Sequence, residues 1–323
     1  MIPLRDTIRS RTFPVVNTAL IAANVLVFLW QLANTHRLNE IFVLYGIVPL
    51  RYADPSVAAH FTLWEQAFPF LSSMFLHGGW FHLLGNLWFL YIFGDNVEER
   101  LGHLRYLAFY LLCGFSAGAV HLFTSWGSPI PTLGASGAVS GVMGAYLIFF
   151  PAARVLTVVP IFLLFPVFEV PAPFFLVYWL GIQLVSGLFT SAEAGGTAWW
   201  AHVGGFGAGL LFGKLLDVLP RVGLDRRLDR RTVRQAPPRL QPLGTPPPGP
   251  GDGAGEAVLW LTRREADLGA RKWVILPVGQ GRRAFWVATP AGVRDGEEIR
   301  LHGRTLPPEY ASEGFPVRVR VTG

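Results

Sequence analysis

Apolar runs close to twenty residues long constrain this chain more than any other feature. A helix needs about 20 mostly apolar residues to cross the hydrocarbon core of a bilayer. Six stretches approach that length: roughly 15–33, 79–94 (extended backwards through Phe70–Phe75), 104–123, 134–150, 173–190 and 198–216. The segment 155–168, VLTVVPIFLLFPVF, is equally apolar, but Pro160 and Pro166 break it. It reads as an interfacial or re-entrant piece rather than a seventh span. Composition supports the membrane reading, because 51% of the 323 residues are hydrophobic and only 15% charged.

Charge divides the chain. Residues 1–220 hold 9 Lys/Arg and 10 Asp/Glu, whereas residues 221–323 hold 18 and 11. The expected organisation is a nearly neutral membrane domain (1–220), a basic and then Pro/Gly-rich linker (221–255), and a small β domain (256–323). Six spans return both termini to one side. Arg5, Arg9 and Arg11 before the first span, and Arg221, Arg226, Arg227, Arg230, Arg231 and Arg234 after the last, assign that side to the cytoplasm by the positive-inside rule. The connections 124–133 and 191–197 carry no Lys or Arg and are expected outside, as is the long aromatic loop 34–78. The first apolar run lacks a small-residue cleavage site and reads as a retained helix rather than a signal peptide. A single cysteine, Cys113, excludes an intrachain disulfide framework. In the tail, AVLWLT, KWVILPVG, AFWVATP and FPVRVRV read as strands, with VGQGR as a turn. At about 68 residues this module is marginal in size.

Polar side chains inside a bilayer are costly, so each asks for a reason. His82 and Asn86 on the second span, Ser136 on the fourth and His202 on the sixth all fall near the outer end of their helices. Ser136 and His202 are each expected about one turn in. Gly134, Gly137, Gly141 and Gly144 form a flat stripe on the fourth span, and Ala201, Gly205, Gly209 and Gly213 repeat it on the sixth. Small residues at every fourth position let two backbones approach closely. A serine hydroxyl becomes nucleophilic when a neutral imidazole takes its proton. The resulting oxyanion needs donors, for which the Asn86 amide, the His82 ring N–H and the Ser136 backbone N–H are candidates. No carboxylate lies at comparable depth, so a Ser–His dyad is expected rather than a triad. No metal or organic cofactor is called for.

With these residues in place the chain resembles the rhomboid family of intramembrane serine proteases. GASGAVSGVMGAY (134–146) is similar to the family's Gly-x-Ser-Gly element, AHVGGFGAG (201–209) to its Ala-His-x-x-Gly-x-x-x-Gly element, and HGGWFHLLGN (77–86) to its second-span histidine element. GDNVEERLG (94–102) is similar to the inner-loop motif that follows. The resemblance covers about residues 15–216 and implies a six-transmembrane-helix bundle. It implies Ser136 as nucleophile, His202 as general base, and His82 and Asn86 as oxyanion donors. It also implies a structural role for His77 and a structural pair between Glu98 and Arg100. One departure is Ser140, where several relatives carry an aromatic residue that stacks on the catalytic histidine.

The implied partners are transmembrane protein substrates and membrane lipid, in the cell (inner) membrane, with no nucleic acid. Two rival readings stay open at this stage. In one, the polar groups serve packing in a catalytically inactive relative that binds membrane clients; in the other, they line a transporter. The tail has its own resemblance: residues 258–321, notably TPAGVRDGEEIRLHGR (289–304), are similar to the C-terminal substrate-binding β-domain of DnaJ-type co-chaperones. This implies a peptide or protein partner for the β domain, although a purely solubilising or dimer-forming module remains the alternative. No His-Pro-Asp element occurs.

Overall fold

The computed structural model describes residues 1–219 apart from Arg9, Ile161, Leu163 and residues 191–195. Beyond them it describes Leu228, Thr232, Gln241, Pro242 and residues 258–278, 281–301 and 315–322. The basic cluster at 221–231 and 234, the linker 243–255, part of the 191–197 connection and the centre of the VGQGR turn lie outside the described residues. The chain divides into two units, Met1–Arg234 and Gln235–Gly323.

The first unit is helical. After strand β1 (Ile2–Asp6) come α1 (Val15–Ala33) and α2 (Leu38–Tyr45). Four short helices follow: α3 (Leu50–Ala53), α4 (Pro55–Ala58), α5 (Leu63–Ala67) and α6 (Pro69–Ser72). The longer elements resume with α7 (Trp80–Phe89), a π-helical segment over Leu90–Gly94, α8 (Asp95–Leu101) and α9 (His103–Thr124). They end with α10 (Ser136–Phe149), α11 (Ala172–Phe189) and α12 (Trp199–Val218). Helices α1, α9 and α11 are long and apolar enough to cross a membrane, and α10 is a shorter apolar helix. An integral membrane protein follows from them.

Helix α10 is the centre of the unit. Between Ala135 and Tyr146 every residue except Ser136 is buried. Its 14 residues rise roughly 21 Å, whereas the 22 of neighbouring α9 rise roughly 33 Å. A helix wrapped by protein need not match the lipid thickness, and its shortness leaves a depression above its first residue. The glycine stripes do what their spacing predicts. A Cβ on Gly205 or Gly209 would meet the backbone of Gly137 or Gly141, and one on Gly144 the backbone of Phe206. Helices α10 and α12 therefore touch backbone to backbone, which no larger residue allows.

Loop 34–78 is not a lax surface connection. It folds into α2–α6 and docks through Ile47 N–H to Thr132 O (3.1 Å) and Leu50 N–H to Ser128 O (2.9 Å). Its Arg51 is buried, with the guanidinium 4.1 Å above the Phe61 ring. The proline-broken segment 155–168 resolves into an antiparallel hairpin, β2 (Arg154–Val158) and β3 (Val167–Pro171), to which β1 adds a third strand in the order β1-β2-β3. The tip keeps Phe162, Leu164 and Phe165 exposed, and β3 runs directly into α11.

The second unit is a β module. Strands β4 (Gln241–Pro242), β6 (Ala270–Val278) and β7 (Gly281–Thr289) make one sheet in the order β4-β6-β7. Strands β5 (Val258–Thr262), β9 (Phe315–Thr322) and β8 (Glu298–Leu301) make another in the order β5-β9-β8. The short helix α13 (Arg263–Leu268) starts from a capping box between Thr262 and Glu265. The alternation read in FPVRVRV is real: Phe315, Val317 and Val319 are buried with Leu259, Leu261, Val274, Val287, Ile299 and Leu301 in one core. Strand β8, EIRL, carries the same alternation over only four residues and was not read from the sequence.

Candidate active site

The depression above α10 is a cavity of about 810 Å³. His82 and Asn86 from α7, Ser136 and Ser140 from α10, and His202 from α12 all line it, joined by His121 from α9 and Trp179 from α11. The four polar residues singled out in the sequence thus meet in one space.

Ser136 is placed differently from expectation. It is the first residue of α10, not one turn inside, and no side chain caps the helix there. First-turn amides have no intrahelical partner, and the helix dipole makes this end favourable to negative charge. Gly134, two residues earlier, has φ +115°, a backbone that L side chains rarely adopt. A Cβ there would also fall 2.5 Å from His82 Nε2 and 3.6 Å from Asn86 Nδ2. Glycine at 134 turns the chain into the helix and lets its own backbone pass close to the α7 pair.

Asn86 and His82 are held by different neighbours. The Asn86 amide donates one N–H to His77 Nε2 (3.0 Å), while His77 Nδ1–H donates to Phe75 O (3.2 Å). This leaves the second amide hydrogen of Asn86 as a donor. His77 is itself clamped at its backbone by Gln31, whose side chain both donates to His77 O (2.9 Å) and accepts from His77 N–H (3.0 Å). His77 thus links Gln31 on α1 to Asn86 on α7. His82 lies edge-on to His77 at 5.1 Å. Gly78 N–H approaches its Nδ1 at 3.5 Å, a long contact that favours the proton on Nε2.

His202 lies one turn into α12, as expected, and is 9% exposed. Its Nδ1–H donates to Gln183 Oε1 at 2.7 Å. The amide cannot be reversed without loss, because Gln183 Nε2 donates to Trp179 O (3.3 Å). An acceptor-only oxygen at Nδ1 fixes the proton there and leaves Nε2 as the ring's lone-pair nitrogen. Trp179 lies beside the imidazole, tilted by 33° with ring centroids 5.9 Å apart, and Trp199 meets it edge-on at 6.3 Å. The aromatic support missing at position 140 thus comes from α11. Ser140 instead donates to Ser136 O at 2.6 Å, a back-bonding serine within α10.

Glu98 and Arg100 do not form the expected pair. Both lie on α8 and go separate ways. Glu98 accepts the first amides of α1, from Val16 (2.9 Å) and Asn17 (2.7 Å), and a short hydrogen bond from His103. Arg100 makes a two-pronged bond to Asp217 of α12, both arms 2.9 Å. Two residues apart on a helix, the side chains point about 200° apart around the axis, so each meets a different neighbour.

Sequence reasoning missed Gln183, Trp179 and Gln31. Gln183 and Gln31 carry the same signal that flagged Asn86, an amide inside an apolar run. Trp179 carries none, since an aromatic on a spanning helix is ordinary. Among the described residues, no group of three or more His, Cys, Asp or Glu could hold a metal ion.

The site is a serine, histidine and amide cavity within a bundle of apolar helices, and comparison with known proteins shows what the helical unit is similar to. Residues 63–217 match the Rhomboid domain. The chain is 31% identical over 153 residues to the presenilin-associated rhomboid-like protein, mitochondrial, of Rattus norvegicus, covering 45% of this chain and 36% of that one. It is 32% identical over 144 residues to the Homo sapiens protein of the same name, 42% and 33% of the two chains. It is 28% identical over 218 residues to rhomboid protein 1, mitochondrial, of Saccharomyces cerevisiae, 65% and 56% of the two chains. These matches support the rhomboid family for the helical unit. The chain spans about a third of the length of the mammalian relatives.

Proposed function

We propose that this protein is an intramembrane serine endopeptidase that cleaves transmembrane segments of other membrane proteins. The observation that carries this is the convergence of Ser136, His202, His82 and Asn86 on one cavity. A locally unwound substrate segment presents a carbonyl to Ser136, because an intact helix hides its carbonyls in hydrogen bonds. His202 Nε2 takes the Ser136 proton as Oγ bonds to the carbonyl carbon. The free amide hydrogen of Asn86, His82 Nε2–H and the Ser136 backbone N–H receive the charge on the oxygen. As the C–N bond breaks, the imidazolium returns its proton to the leaving amine. Water entering through the cavity then hydrolyses the acyl-enzyme, again with His202 as base.

In this reading α7 with the π-helical segment Leu90–Gly94, α10 and α12 complete six spans with α1, α9 and α11, and both termini lie in the cytoplasm of a cell whose inner membrane holds the protein. Lipid covers the exposed apolar flanks. The β unit is a peptide-binding module of the DnaJ C-terminal type, supported by its closed apolar core and the 289–304 motif. Comparing several substrates with and without residues 235–323 tests that role, which is lost if every substrate is cleaved equally by both forms. The central test uses a single-span reporter in liposomes with wild type, Ser136→Ala and His202→Ala. Cleavage and fluorophosphonate labelling should vanish in Ser136→Ala. Retained cleavage in either variant overturns the assignment.

A further inference from the structure

Gln183 is the only side chain hydrogen-bonded to His202 among the described residues, and it sits on a helix that otherwise commits little to the interior. Of the 18 residues of α11, only Ala172, Phe175, Leu176, Gln183 and Gly187 are buried. Burying an amide in an apolar bundle is costly unless its hydrogen bonds are made. Both are made here, and both are specific: Oε1 to the imidazole and Nε2 to the Trp179 carbonyl one turn away. Trp179 and Gln183, four residues apart, therefore present one face of α11 to His202. The ring rests against an aromatic, and its Nδ1 proton is fixed by an acceptor.

From this juxtaposition we propose that Gln183 is a positioning residue for the general base. It stands as a neutral third member behind Ser136 and His202, holding His202 in the tautomer whose Nε2 accepts the serine proton. The inference rests on the protease reading for its catalytic consequence, but the tautomer it assigns is a property of the resting protein. An amide acceptor does what a carboxylate does for orientation, without placing a second charge in the membrane. It does not match a carboxylate in stabilising the imidazolium. Because the acceptor is on α11 and the base on α12, any displacement of α11 away from α12 withdraws the acceptor from the base.

The test compares wild type with Gln183→Ala and Gln183→Glu in the same liposome assay. Among the described residues, His82 on α7 and His121 on α9 are the other titratable groups bearing electrostatically on His202; both are unchanged by these substitutions. Gln183→Ala should lower kcat by about 10–100-fold with KM little altered, since the base loses its orientation and not its substrate. Gln183→Glu restores an acceptor and should recover most of kcat. Its added negative charge favours the imidazolium, so the acid limb of the pH–rate profile should move to higher pH by about one unit. Wild-type kcat in Gln183→Ala, or an unmoved limb in Gln183→Glu, overturns the proposal. If Gln183→Ala does not fold, the Glu variant carries the kinetic test alone. Independently of activity, ¹⁵N-histidine spectra, with His202 identified by its loss in His202→Gln, should show Nδ1 protonated in wild type. A wild type with the proton on Nε2 sinks the proposal, whereas cleavage by Ser136→Ala sinks the protease reading and leaves the tautomer assignment standing.

Discussion

The two ends of the helical unit bury polar groups in opposite ways. At the end formed by α8 and the start of α1, Glu98 is wholly buried and closes on Val16, Asn17 and His103. Asn17 in turn donates to Leu90 O (3.0 Å), a carbonyl of the π-helical segment, and accepts from Tyr106 (2.8 Å). Arg105 caps the last turn of α12 through Leu216 O (2.9 Å) and Leu219 O (2.8 Å). These groups are spent on one another. At the Ser136 end Asn86 is held by His77 and His202 by Gln183, but Asn86, His82, Ser136 and His202 all line a cavity. The same residue types close on one another at one end and line a cavity at the other.

Substitutions at the two ends should therefore separate activity from stability. Ser136→Ala is expected to reduce reporter cleavage by at least about 10³-fold while shifting unfolding in detergent by no more than about 0.5 kcal/mol. A large loss of stability there would erase the distinction between the ends. Glu98→Ala should do the reverse and destabilise by about 3–5 kcal/mol, because two amides of α1 and His103 lose a buried partner together. Unfolding titrations in mixed micelles measure this, and the variant should still be labelled by a fluorophosphonate under conditions where it remains folded. Asn86→Ala lies between: kcat should fall about 10²–10³-fold with KM unchanged, as expected for loss of one oxyanion donor.

The smallest effect sharpens the comparison at the Glu98 end, outside the spans. Asp6 on β1 accepts from Tyr146 (2.5 Å) and Asn96 (2.8 Å), and burial pushes its carboxyl up to about 6 despite the Tyr146 bond. The folded protein therefore holds this proton more tightly than the unfolded chain, so its contribution to stability is lost as pH rises from about 4 through about 6. Discounted for partial exposure, the effect is about 1 kcal/mol. Asp6→Asn should flatten that part of the stability–pH curve; an unchanged slope would show that Asp6 does not titrate there.

Much of this was legible from residue order alone. Length and apolarity identified the helical unit, the fourfold small-residue spacing identified the α10–α12 contact, and alternation identified most strands of the β unit. These are local regularities, set by the pitch of a helix or the pleat of a strand, so they survive projection onto a line. Three things were decided only in space. The partner of Glu98 turned out to be the start of α1, about 80 residues earlier, because a buried carboxylate goes where unpaired amides point and not to the nearest charge in sequence. The hairpin at 155–168 needed β1, whose strand character was completed by a neighbour some 150 residues away. The orientation of His202 came from Gln183 and Trp179, whose identities become meaningful only when α11 lies against α12. A sequence names the groups that can react, but hydrogen bonds and ring contacts are distances, and only the packed chain sets them.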